Sequence, residues 1–73
     1  MNKNSKVDFS IVIPSFMSKE FLEKTILEIL TYTNASKYQY EVIIVVDGSL
    51  DGSWEEALRI SEENNSVKAI QLL

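Results

Sequence analysis

Tyr40-Glu41-Val42-Ile43-Ile44-Val45-Val46-Asp47-Gly48-Ser49-Leu50-Asp51-Gly52-Ser53 is the stretch that decides the fold of this 73-residue chain. Residues 42–46 are apolar without alternation, and a strand apolar on both sides calls for cover on both sides, the mark of a central parallel strand. The strand delivers an acid, Asp47, into a segment that holds both glycines of the chain and has no periodicity, so residues 47–53 predict a loop. The loop runs into Ser53-Trp54-Glu55-Glu56, a capping box in which Ser53 and Glu56 satisfy each other's backbone amides. It opens a helix over residues 54–63 with Trp54, Ala57, Leu58 and Ser61 as its inner stripe.

Upstream, residues 9–13 are rich in β-branched and apolar side chains, and Pro14, which cannot donate to a sheet ladder, is expected to stop that first strand. Over residues 19–33, Leu22, Ile26, Ile29, Leu30 and Thr33 recur at helical spacing, with Ser18 as N-cap and Glu20 in the first turn, where the helix dipole favours an acid. Residues 34–37 are loop formers that end this helix. Downstream, residues 67–73 predict a third strand after Asn64-Asn65-Ser66. The order β-α-β-α-β predicts an α/β fold with a parallel sheet and right-handed crossovers. Two helices cannot cover both faces of three parallel strands, so the chain reads as the incomplete N-terminal part of a larger domain. Residues 1–7 read as a disordered polar lead and residues 8–73 as the partial domain.

Composition narrows the chemistry. There is no cysteine and no histidine, which excludes disulfides, zinc sites of the usual kind and Ser-His-Asp or Cys-His catalysis within these residues. Seven Lys and Arg against eleven Asp and Glu give a net charge of -4, with no basic cluster to follow a phosphate backbone, so nucleic acid is not an expected partner. The longest apolar run, residues 42–46, is five residues, far short of a membrane-spanning helix. The segment after Lys3 and Lys6 is interrupted by Pro14 and Ser15 before it could form a signal-peptide core. A cytoplasmic chain is expected.

In open parallel sheets ligands bind beyond the carboxyl ends of the strands, where strand order reverses. That singles out residues 14–18 and 47–53. A carboxylate at Asp47 can accept hydrogen bonds from ribose hydroxyls or a base N–H, and Gly48 lets a ligand approach the backbone. The same residues serve a purely structural role equally well, with Asp47 and Asp51 making Asx-turns and capping the second helix. Neither the G-x-G-x-x-G fingerprint nor the P-loop pattern is present, and the acidic loop suits hydroxyls or a cation-bridged ligand better than bare phosphate.

Ser10-Ile11-Val12-Ile13-Pro14-Ser15-Phe16 and, one helix later, Tyr40 to Ser53 resemble the opening of family 2 glycosyltransferases, usually worded "SVIIPTYN" and "EIIVVDDGSTDGT". The similarity runs from Asp8 to the C-terminus, and the segment after Asp47 is most like the members that transfer sugars to polyprenyl phosphate, in cell-envelope polysaccharide biosynthesis. The resemblance implies a GT-A (Rossmann-like) fold and an inverting transferase. It also implies a nucleotide-diphospho-sugar donor, a UDP-sugar first of all, and a glycan or lipid acceptor. The divalent ion, Mg or Mn, would be held by a downstream Asp-x-Asp, so metal ligands and the catalytic base lie outside this chain and the 73 residues alone are expected to be inactive. Membrane association, at the inner face of the cell membrane, would come through segments outside the chain.

Carried over by position, Pro14, Ser15 and Phe16 border the base, Phe16 in place of the usual tyrosine, and Asp47, Gly48 and Ser49 edge the nucleoside pocket. Asp51 supports the loop. Two departures stand out: Val46 replaces the first acid of the Asp-Asp pair, which often bonds the base, and Met17 replaces an asparagine. Two other readings compete. A nucleotidyltransferase would carry a glycine-rich basic segment after the first strand, and residues 14–19 have no glycine and one lysine. A receiver-like interaction module would need acids at the end of that strand. Trp54 is expected to pack on the sheet, Tyr32, Tyr38 and Tyr40 to cluster at the far edge, and Glu55, Glu56, Glu62 and Glu63 to form a solvated face.

Overall fold

The computed structural model describes residues 6–15, 19–47 and 52–72. Its elements are β1 (Phe9–Ser15), α1 (Lys19–Asn34), β2 (Tyr40–Asp47), α2 (Ser53–Glu63) and β3 (Val67–Leu72). The fold is α/β, with the three strands parallel in the order β1-β2-β3. The strand order does not reverse among these three, so no switch point lies between them. Register places apolar residues side by side on the helix face, Ile13 with Ile44 and Ile44 with Ala69, and sets Ser15 beside Val46.

β1 does not stop before Pro14, as the sequence predicts, but continues through it to Ser15. The reason is position: β1 is an edge strand, and proline is tolerated where one row of N–H groups has no ladder to join. β2 is central, as its apolar run predicts. It extends by two residues at the start and one at the end.

The core lies between the sheet and one layer of two helices. Leu22, Ile26 and Leu30 of α1 and Ala57 and Ile60 of α2 close over Ile13, Val42, Ile44, Val46 and Val67. Thr33 continues the α1 stripe, buried, with its hydroxyl on the carbonyl of Leu30. On α2 the buried stripe is Ser53, Ala57 and Ile60, not the predicted Trp54, Ala57, Leu58 and Ser61. Leu58 is exposed, while Trp54 packs partly buried against the core as expected. The buried residues fall at i, i+4 and i+7, and α2 starts one residue earlier than predicted, with Gly52 as N-cap in place of Ser53.

As the sequence predicts, two helices do not cover both faces of β2 among the described residues. A sequential strand order with right-handed crossovers puts both helices on one side, and α1 indeed packs on α2. Val42, Ile44 and Val46 are buried under them, whereas Ile43 and Val45 on the other face are half-buried. That open face also carries Val12, 59% exposed, and Ile70 and Leu72, each 47% exposed. At its base Glu41 links the strands, accepting from the Ser10 hydroxyl and pairing with Lys68 at 3.1 Å.

Candidate functional site

The carboxyl ends of β1 and β2 lie side by side, with Pro14 opposite Val45 and Ser15 opposite Val46, and both strands deliver their following loops to the same end of the sheet. Alternation along β1 puts Ser15 on the helix side, two residues beyond Ile13. It is 8% exposed, and its Oγ is the buried side-chain polar atom that lacks a hydrogen-bond partner among the described residues. The neighbour in register, Val46, is fully buried and offers no acceptor. An unmet buried hydroxyl costs about 1–3 kcal/mol, so such an atom at a strand end is a group in want of a partner.

Asp47 closes β2, exposed, opposite Leu72 of β3. Pro14 is exposed on the face away from the helices. The structure thus brings Pro14, Ser15 and Asp47 to one end of the sheet. Phe16, Gly48 and Ser49, with Met17, Ser18 and Asp51, lie outside the described residues.

Beyond the loop, Gly52 caps α2 at φ 90° and ψ 2°, a left-handed geometry that only glycine adopts freely. The N-terminus of α2 is therefore at the same end as Ser15 and Asp47. Glu55 and Glu56 occupy its first turn and answer the positive end of the helix dipole, which leaves little to draw a bare phosphate. Among the described residues no three acidic, histidine or cysteine side chains come together to hold a metal ion. No Asp-x-Asp occurs in the 73 residues, so the side chains present do not make up a divalent-metal site.

Sequence reading missed the ion-pair network around Arg59. Its guanidinium bonds Glu56 and Glu63 on its own helix and reaches Glu23 of α1 at 2.8 Å, tying the two helices together. These carboxylates, Glu56 first, hold the Arg59 pKa above its ordinary value. Glu56 is thus part of a clamp, not of a purely solvated face. The spacing of Glu56, Arg59 and Glu63 was visible as helix neighbours; the reach to Glu23 follows only from the packing. A hollow along α1 between Glu20 and Thr31 is lined by that helix's own outer side chains and builds no site.

No helix among the described residues is long and apolar enough to cross a membrane. The chain is similar to a protein of Synechocystis sp. described as an uncharacterized glycosyltransferase, with 30% identity over 66 residues, or 90% of this chain. It spans 21% of the length of that relative. The family model for glycosyl transferase family 2 matches residues 10–72, so that α1, β2, α2, β3 and all of β1 but Phe9 fall within it. The parallel β-α-β-α-β unit is the N-terminal part of a GT-A, Rossmann-like fold, and the chain belongs to glycosyl transferase family 2.

Proposed function

We propose that this chain is the donor-nucleoside half of a longer glycosyltransferase that moves a sugar from a nucleotide-diphospho-sugar, UDP-linked first of all, to an acceptor hydroxyl or polyprenyl phosphate. The observation that carries the reading is the buried hydroxyl of Ser15, unpartnered at the end of β1 beside the end of β2. In this reading the nucleoside enters between the two loops. Ser15 donates to or accepts from the base edge, because Val46 beside it cannot. Asp47 accepts from the ribose hydroxyls, Gly48 and Ser49 form the backbone edge, and the Pro14 and Phe16 rings border the base.

The catalytic base and the acids for the divalent ion belong to residues outside these 73, so the chain alone binds but does not transfer. The inverting course, the polyprenyl-phosphate acceptor and work at the cytoplasmic face of the membrane are parts of the same proposal. Family membership favours this reading over a receiver-like module or a nucleotidyltransferase.

Ser15→Ala tests it, because the variant should separate binding from stability. Removing an unpaired buried hydroxyl leaves the unfolding midpoint unchanged or raised, while the lost bond to the nucleoside weakens UDP binding by about 2- to 12-fold, the equivalent of ~0.5–1.5 kcal/mol. Calorimetric titration of UDP into both forms of the full-length protein measures this. Equal affinities would remove Ser15 from the pocket.

A further inference from the structure

The two segments between which the nucleoside is proposed to enter each run from a strand end to a helix start. Residues 16–18 lead from Ser15 to Lys19 of α1, and residues 48–51 lead from Asp47 to Gly52 at the cap of α2. Their strand ends are fixed by the sheet, with Ser15 opposite Val46 and Asp47 opposite Leu72. Their helix ends have no such ladder. The distance between the two segments therefore depends also on how α1 and α2 are held against each other.

Arg59 supplies that hold. Its Nε and Nη2 donate to the two carboxylate oxygens of Glu56, the first at 3.2 Å, and this two-pronged bond fixes the plane of the guanidinium. With the plane fixed, Nη2 also donates to Oε2 of Glu23 on α1 at 2.8 Å. Nη1 donates to Glu63, one turn further along α2, at 2.9 Å. The link between the helices lies toward the site. At a rise of 1.5 Å per residue, Glu23 is about 6 Å along α1 from Lys19, and Arg59 is about 9 Å along α2 from Ser53. The core beside it is made by Leu22 and Ile26 of α1 with Ala57 and Ile60 of α2. Apolar burial is non-directional, whereas a planar fork held by carboxylates fixes an orientation.

We propose that Arg59 is a positioning residue of the donor site: by holding Glu23 on α1 and Glu56 on α2, it sets the spacing of the two helix starts and so of the segments that admit the nucleoside. The inference rests on the donor-site reading. The three carboxylates divide the work. Glu56 orients the guanidinium, Glu23 carries the link between the helices, and Glu63 bonds within α2 alone.

Calorimetric titration of UDP into the full-length protein tests this, with Glu23→Ala, Glu63→Ala and Glu23→Gln beside the parent. Each alanine variant removes one acid and one arm of Arg59 from an exposed helix position. Loss of a negative charge favours an anionic nucleotide, so charge alone would tighten binding in both. Glu23→Ala should instead weaken UDP binding by about two- to fivefold, the range open to an exposed ion pair. Glu63→Ala should not weaken it, and Glu23→Gln, which keeps an oxygen acceptor, should recover part of the loss at unchanged circular dichroism. UDP binding to Glu23→Ala as tight as to the parent, or equal weakening by both alanine variants, overturns the role of Arg59 and leaves the donor site standing. A parent that binds no UDP overturns the donor-site reading, and this inference falls with it.

Discussion

At the scale of single residues, two positions carry information that their neighbours do not. Ser15 is buried with its hydroxyl unmet among the described residues, and the residue opposite it, Val46, is a core residue whose side chain offers no acceptor. The pair sets a polar group in want of a partner beside an apolar side chain of the core under α1 and α2. Gly52 is the second. Its φ of 90° is outside what a side chain with a Cβ adopts without penalty, and it turns the chain from the loop into α2. Gly52→Ala should destabilise the fold by about 1–2 kcal/mol, and Gly52→Asn by less, since asparagine tolerates left-handed geometry. Urea unfolding of the two variants measures this, and an alanine variant as stable as the parent would show that the turn relaxes.

Among the elements, the sheet is tied at its base by a polar band across all three strands, Ser10 to Glu41 to Lys68. Donation from the Ser10 hydroxyl, and then from Lys68, holds the Glu41 carboxyl below its ordinary value of 4.5. A lowered carboxyl pKa stabilises the fold above the unfolded value and loses that contribution as pH falls through the folded one. The parent should therefore lose stability between pH 7 and about pH 3, and Glu41→Gln should lose less over the same interval. Urea midpoints at the two pH values give the comparison, and equal losses would mean the band does not titrate.

The sequence made the order of elements legible because each has its own period: unbroken apolar run for β2, helical stripe for α1. What it hid were consequences of contact. That Pro14 is inside a strand depends on β1 being an edge, and which face of α2 is buried, that of Ser53, Ala57 and Ile60, depends on how the helix packs on the sheet and on α1. At the candidate site, the rule that parallel strands present their ligands at their carboxyl ends singles out Pro14, Ser15 and Asp47, and the structure sets these three at one end of the sheet. The unmet state of the Ser15 hydroxyl needed the register.

For the molecule as a whole, the one-sided helix layer is the decisive feature. Parallel sheets occur almost only with both faces covered, yet here Val12, Ile70 and Leu72 are about half exposed on a face that no described element crosses. The base of that face is sealed by the Glu41–Lys68 pair, so its apolar part lies toward the strand ends that carry Pro14 and Asp47. If the proposed longer protein closes this face with further polypeptide, one substitution should behave differently in the two contexts. In the 73-residue chain, Val12 is 59% exposed, and Val12→Asp should change stability by no more than about 0.5 kcal/mol, as surface substitutions do. In the longer protein the same change buries a carboxylate without a partner and should cost about 2 kcal/mol or more. Urea titrations of the parent and variant at both lengths supply the four midpoints. A small effect at both lengths would show that the face stays open to water in the longer protein as well, and that this β-α-β-α-β unit stands on a single layer of helices.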